Sequence, residues 1–194
     1  MGSSKLEFSK KLQIFSCVLS GMVFGGTDPI VHIYMMQSIG DDFYKMITFI
    51  QEVVTLFIFV YVDKRDKNGE SKALKHVRRY FIPIIVMGEI LFIGANALSL
   101  IDTRIRFLML ASIQAITMHL WIVGIDDIWN REISGSDLTL WNTKCTKFEM
   151  LGSMIGVSLI QFIPIDIEMG LLIQCIGYFL LGVIDYKIYK NLVC

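Results

Sequence analysis

The sequence lacks the cysteine spacings that mark disulfide frameworks and zinc sites. Its four cysteines stand at positions 17, 145, 175 and 194, and no two of them form a CxxC pair. Disulfides are rare in chains that face the cytoplasm, so we expect none here. Cys17 and Cys175 fall within apolar segments and are predicted to be inert thiols in the protein core. No metal and no other cofactor is predicted.

An excess of charge is also lacking. The chain has 18 basic and 18 acidic residues, so its net charge indicates nothing about partners, and we predict no nucleic acid among them. No internal repeat, linker or low-complexity segment divides the sequence. We expect no cleavable signal peptide, because the first apolar run is too long and no small-residue cleavage site follows it. We predict one domain over residues 1–194.

Apolar residues, in contrast, are abundant. They make up 54% of the chain, whereas soluble domains contain roughly 45–50%. They cluster into runs of about 20 residues, the length at which a helix crosses the bilayer. The six runs cover about 12–37, 43–62, 80–100, 105–125, 147–165 and 169–189. Because a helix satisfies its own backbone hydrogen bonds in lipid, the sequence predicts an all-α bundle of six transmembrane helices, integral to the lipid bilayer.

The basic residues are distributed unevenly between the two predicted sides of the membrane. Fifteen of the 18 lie before the first run, after the second or fourth run, or in the C-terminal tail. Lys45, Arg104 and Arg106 lie on the other side. By the positive-inside rule, this distribution predicts that both termini are cytoplasmic.

The longest polar segment between the runs covers residues 126–146. It contains Trp129 and Trp141, and tryptophan is typical of segments at the membrane surface. Gly135 and Ser136 indicate a turn within it. The sequence therefore predicts an interfacial loop here.

Small residues recur at a spacing of four in two of the runs. Gly21 and Gly25 show this spacing in the first run, and Gly152 and Gly156 show it in the fifth. Small residues so spaced lie on one face of a helix and let a second helix approach closely. Pro29 adds a predicted kink in the first helix, since proline removes a backbone donor.

Ionisable residues inside the predicted helices are the candidates for function. A charge at mid-membrane costs about 2.5–3.5 kcal/mol on insertion scales, so such residues usually face the bundle interior and act there. Seven fall within the runs or at their ends: Asp28, His32, Glu52, Glu89, His119, Glu149 and Asp185.

Two of these carboxyl groups are predicted to be catalytic. Glu52 lies near mid-membrane in the second helix, and Asp185 lies about one turn from the cytoplasmic end of the last. A carboxyl group in an apolar site tends to keep its proton, and a neutral carboxyl group can act as a general acid. A substrate could then reach it from the bilayer. In the alternative interpretation, these groups only form hydrogen bonds between helices.

Three stretches carry a resemblance to a known family. They are "DDFYKMITFIQEVV" (41–54), "NREISGSDLTLWNTK" (130–144) and "GYFLLGVIDYKIY" (177–189). Together they resemble the small integral-membrane terpene cyclases of fungal meroterpenoid and indole-diterpene pathways. The family's central glutamate and its late aspartate correspond to Glu52 and Asp185. Its arginine, glycine, tryptophan and basic positions in the middle stretch correspond to Arg131, Gly135, Trp141 and Lys144.

The resemblance implies a metal-free reaction on a lipophilic, prenylated small molecule. A carboxylic acid would protonate an epoxide or olefin, the carbocation would cyclise, and a base would remove a proton. Glu52 and Asp185 would be acid and base, in an order left open. The candidate residues of the substrate cavity are Asp28, His32, Glu89, His119, Trp141 and Tyr178.

Two other interpretations remain open from the sequence. Six helices with a charged loop after the second, at 62–72, are similar to half of a major-facilitator transporter. A substrate-binding membrane subunit of a larger importer is a related interpretation. The carboxyl groups would then couple proton and solute movement, and the chain would form a homodimer to complete the path. In the other interpretation the chain is an accessory membrane protein without chemistry of its own.

Overall fold

The computed structural model describes residues 3–62, 102–133, 135–163 and 165–193. Within those ranges the chain forms five helices and no strand, which confirms the all-α prediction. The helices are α1 (Ser3–Ile39), α2 (Asp41–Val62), α3 (Thr103–Glu132), α4 (Ser136–Phe162) and α5 (Ile167–Val193). The predicted run at 80–100, with Glu89, and nearly all of the charged loop at 62–72 lie outside the described residues.

Three of the described helices are long and apolar enough to cross a membrane. The qualifying segments are Ser4–Ile39, Asp41–Tyr61 and Leu172–Leu192. The segment in α2 is only 11% buried, so its apolar side chains are turned outward. That exposure suits a helix surrounded by lipid, where apolar surface has no water to avoid.

The polar segment 126–146 is helical at both ends, which corrects the predicted loop. α3 continues to Glu132 and α4 begins at Ser136. The turn between them includes Gly135, whose φ of 64° lies in the left-handed region that glycine adopts without strain. Apolar runs locate only the part of a helix that lipid would cover, so they miss polar ends that continue the same hydrogen-bonded helix.

The chain divides into two compact units. The first comprises residues 1–30 and 125–194, and the second comprises residues 31–124. In the described part of the second unit, Ile47 and Phe107 are 1% exposed and form its core. There Tyr34 packs edge-on against Phe107, with ring centroids 6.1 Å apart. The Arg104 guanidinium lies 5.3 Å from the centroid of the Phe43 ring.

In the first unit α1 and α4 cross at very short range. A Cβ atom added at Gly21 would lie 2.0 Å from the backbone oxygen of Glu149, and one at Gly152 would lie 2.1 Å from that of Val18. Gly156 makes a similar approach to α1. These contacts advance in the same direction along both helices, so α1 and α4 run parallel. The close packing predicted from the glycine spacing is confirmed.

α5 packs antiparallel against α1 in the same unit. Gly177 lies against the side chain of Val23, and the Tyr178 and Phe24 ring centroids are 4.7 Å apart. Leu181 and Ile188 are fully buried and continue this face of α5 toward its C-terminus. The first unit therefore places α1 between two neighbours, with small residues toward α4 and a mixed polar and apolar face toward α5.

Candidate functional site

Asp185 is buried at the contact between α1 and α5. Its exposed fraction is 2%, and the Ser16 hydroxyl donates a hydrogen bond to Oδ1 at 3.2 Å. Ser16 is itself only 3% exposed. A buried polar group needs partners of this kind, because leaving it unsatisfied costs about 1–3 kcal/mol. The prediction that Asp185 faces the helix bundle rather than the surroundings therefore agrees with its position.

Asp185 belongs to a line of polar contacts that follows the whole α1–α5 contact. Gln174 donates from Nε2 to Asp28 Oδ1 at 2.7 Å, and Asn191 donates from Nδ2 to the Ser9 hydroxyl at 3.5 Å. We call these three contacts the polar seam, formed by Ser9, Ser16 and Asp28 of α1 with Asn191, Asp185 and Gln174 of α5. The sequence had indicated Asp28 and Asp185 separately, and the structure places both in one seam.

Gln174 has an unsatisfied polar atom within the seam. Its side chain is 2% exposed, and Oε1 has no hydrogen-bond partner while Nε2 is engaged with Asp28. This part of the seam therefore combines the Asp28 carboxyl group with an amide oxygen that lacks a partner.

Glu52 has different surroundings from those predicted. Its side chain is exposed on α2, in the second unit, whereas the sequence predicted that it faces the interior of the helix bundle. The physical reason is that Glu52 belongs to a polar face of α2 shared with Lys45 and Thr48, and all three side chains of this face are exposed. A catalytic role for Glu52 stays a prediction.

Three further predicted cavity residues lie on three different helices. His32 is exposed and forms a hydrogen bond between Nδ1 and the Tyr44 hydroxyl at 2.7 Å. His119 lies on α3. Tyr178 is 4% exposed and lies seven residues before Asp185, on the same face of α5.

Trp141 belongs to an aromatic pair at the turn between α3 and α4. Its ring centroid is 5.1 Å from that of Trp129, and Trp129 Nε1 donates to Gln13 Oε1 at 2.9 Å. Trp141 also borders an open recess of about 470 Å³. The recess is lined by Leu6, Lys10, Glu132, Ile133, Asp137, Leu140, Trp141 and Lys144.

The residues singled out by the resemblance around this turn have separate roles. Arg131 forms an ion pair with Asp127, at 3.4 Å between Nη2 and Oδ2, and Gly135 makes the turn. Trp141 and Lys144 line the recess. The structure thus brings two of the four positions to one surface of the first unit.

We predict that Trp129→Phe lowers the free energy of unfolding by about 1 kcal/mol, the usual net contribution of one hydrogen bond. Phenylalanine keeps the aromatic contact with Trp141 but removes the donor to Gln13. Thermal unfolding in detergent, followed by circular dichroism, measures the change. The control is Gln13→Ala made in the wild type and in Trp129→Phe. Both backgrounds lose the contact of Gln13 with Cys17, so the difference between the two costs reports the bond from Trp129. Equal costs in the two backgrounds would contradict the assignment.

No protein-family model, curated protein or solved structure matches the chain. Among the residues that the structure describes, no group of three or more His, Cys, Asp or Glu side chains is arranged to hold a metal ion. The chemistry of the polar seam is therefore the basis for assigning function.

Proposed function

We propose that the chain is a multi-pass integral membrane protein with six transmembrane helices and both termini in the cytoplasm. Three membrane-length helices among the described residues and the uneven distribution of lysine and arginine support this topology. Epitope tags at each end, probed with antibody before and after selective opening of the plasma membrane, test it. Both tags should become accessible only after opening. A tag accessible on intact cells would contradict the proposal.

The function that the seam supports best is proton transfer to a lipophilic small molecule inside the membrane. The observation that carries it is Asp185, a carboxyl group buried in a membrane-length helix and bonded to the Ser16 hydroxyl. Ionisable residues in such helices are costly to insert, so they are kept mainly where they pair, conduct or react. The sequence resemblance suggests the reaction: metal-free cyclisation of a prenylated substrate.

Asp185 is taken here as the acid and Glu52 as the base, although the reverse order balances equally well. The Asp185 carboxyl group gives its proton to an epoxide oxygen or an olefin carbon, and a carbocation forms on the substrate. Ser16 then stabilises the new carboxylate through its hydrogen bond to Oδ1. After ring closure, a proton leaves the substrate for a base, so the product is an isomer of the substrate. Glu52 is the second proposed proton-transfer group.

Aromatic side chains two helical turns from Asp185 favour a cationic intermediate. Tyr178 and Phe24 lie side by side in the first unit, and Tyr178 shares the Asp185 face of α5. An aromatic face stabilises a nearby cation by roughly 0.5–2 kcal/mol. This contribution would lower the barrier to ring closure without a metal.

The test supplies purified protein in lipid vesicles with prenylated phenols that carry a terminal epoxide. We expect products of unchanged mass and changed chromatographic retention, which distinguishes cyclisation from hydrolysis. Vesicles without protein provide the background. Unchanged substrates across a series of prenyl lengths would count against the cyclase.

A second candidate function is that of a proton-coupled carrier. The contact between Asp28 and Gln174 in the polar seam favours it. Asp28 and Gln174 lie at a different depth from Asp185, so two carboxyl groups occupy successive positions along one helix contact. Such a series is a common arrangement for moving protons through membrane helices. A carrier of six helices would work as a homodimer, with the path completed by a second copy.

We predict that Asp28→Asn abolishes coupled proton movement if the chain is a carrier. Asparagine can accept the bond from Gln174 but cannot carry a proton. Vesicles loaded with a pH-sensitive dye report proton entry when a solute gradient is applied. Solute flux without any proton flux in the wild type would exclude coupling, and solute released as an isomer would favour the cyclase.

A further inference from the structure

The two half-buried thiols of α1 and α4 meet at their crossing. Cys17 of α1 and Cys145 of α4 are neighbours whose side chains interact with each other. Four residues further along each helix, a Cβ atom added at Gly21 would lie 2.0 Å from the Glu149 backbone oxygen. Residues four apart lie on one helix face, so the glycine contact that draws the helices together also holds the two thiols opposite each other.

The surroundings of this thiol pair make one sulfur the better nucleophile. The neighbouring Cys17 thiol and the charge of Lys144 lower the pKa of the Cys145 thiol, although burial and the carboxylates of Glu149 and Asp126 act in the opposite direction. The thiolate is the reactive form of cysteine. The Gln13 side-chain amide lies 3.7 Å from the Cys17 sulfur and orients the second thiol.

We propose that Cys17 and Cys145 are an oxidation site at which a hydroperoxide converts the thiol pair into a disulfide linking α1 to α4. Both side chains are partly exposed, so a hydroperoxide can reach them. The proposal differs from the expectation that Cys17 is an inert core thiol. It involves neither Asp185 nor Asp28, so it does not depend on the proposed function.

The chemistry balances in two steps. The Cys145 thiolate attacks one peroxide oxygen, the O–O bond breaks, and Cys145 becomes a sulfenic acid while water or an alcohol leaves. The Cys17 sulfur then attacks the sulfenic sulfur, loses its proton, and water leaves as the S–S bond forms. A dithiol reductant of the kind found in cytoplasm reverses the reaction by thiol–disulfide exchange.

Peptide mapping of the full chain in lipid vesicles tests the site directly. Trypsin separates all four cysteines, since they fall in residues 12–45, 145–147, 148–187 and 191–194. After exposure to a hydroperoxide, we expect residues 12–45 to be joined to 145–147, and the link to disappear with dithiothreitol. Cys145→Ser should remove the link, whereas Cys175→Ser, in the same first unit, should leave it unchanged.

Two hydroperoxides test whether the oxidant reaches the thiols from water or from the lipid. Hydrogen peroxide reaches the thiols from water, and an alkyl hydroperoxide dissolved in the vesicle reaches them from lipid. The arm in which the linked peptide forms faster identifies the natural route, and formation in either arm supports the site. Cys17 and Cys145 recovered as separate thiols in both arms, or linked instead to Cys175 or Cys194, would overturn it. Peptide mapping of the oxidised wild type tests the site by itself, even if a serine variant fails to fold.

Discussion

Replacing Asp185 by asparagine is expected to lower substrate cyclisation by roughly 10²–10⁴-fold, the usual contribution of a positioned general acid or base. Asparagine has the same shape and can accept the Ser16 hydrogen bond through its side-chain oxygen. It cannot deliver or take up a proton at physiological pH. The rate constant for isomer formation in lipid vesicles measures the effect, and kcat should fall more than the apparent affinity changes.

The matched control for this prediction is Ser16→Ala. It keeps the Asp185 proton but removes the donor to Oδ1, so turnover should fall much less than with Asp185→Asn. Circular dichroism and the unfolding midpoint should stay close to wild type for Asp185→Asn, because its hydrogen bond is conserved. Wild-type turnover in Asp185→Asn would show that Asp185 takes no part in the reaction. The polar seam would then serve only to hold α1 and α5 together. Glu52→Gln, measured beside it, tests the second proposed group.

The polar seam illustrates how much of the site the sequence could predict. Asp28 and Asp185 stand out because each is an acid within an apolar run, whatever its neighbours are. Their partners Ser16 and Gln174 do not stand out, because a serine or glutamine in a helix is common and carries no charge penalty. Pairing also depends on α1 and α5 lying antiparallel at one register, which separates Ser16 and Asp185 by 169 positions in sequence. Single-sequence patterns contain no signal for that register.

The helices themselves were predictable in type but not in extent. Apolar runs gave the identity of the five described helices, since lipid selects for continuous apolar segments. They did not give the polar extension of α3 or the early start of α4, where helix continuity depends on backbone hydrogen bonds rather than hydropathy. Glu52 shows the corresponding limit for orientation: it shares one polar face of α2 with Lys45 and Thr48, and a polar face in an apolar helix does not by itself tell whether it meets another helix or the surroundings.

Gly21→Ala is expected to destabilise the α1–α4 crossing by about 2 kcal/mol, within the range for overpacking. A methyl group at this position would lie 2.0 Å from the Glu149 backbone oxygen. A backbone atom cannot rotate away as a side chain can, so the helices would have to separate along the crossing. That separation outweighs the roughly 1 kcal/mol by which alanine favours a helix over glycine.

The measurement for Gly21→Ala is reversible unfolding in mixed micelles, with Gly170→Ala as the matched glycine control. A methyl group at Gly170 would meet Ile165 at 3.9 Å, an ordinary contact, so that variant should be as stable as wild type or slightly more stable. The crossing also sets the distance between Cys17 and Cys145. Gly21→Ala should therefore slow formation of their disulfide, whereas Gly170→Ala should not. Equal stability and equal oxidation rates in the two variants would mean that α1 and α4 do not cross at this register.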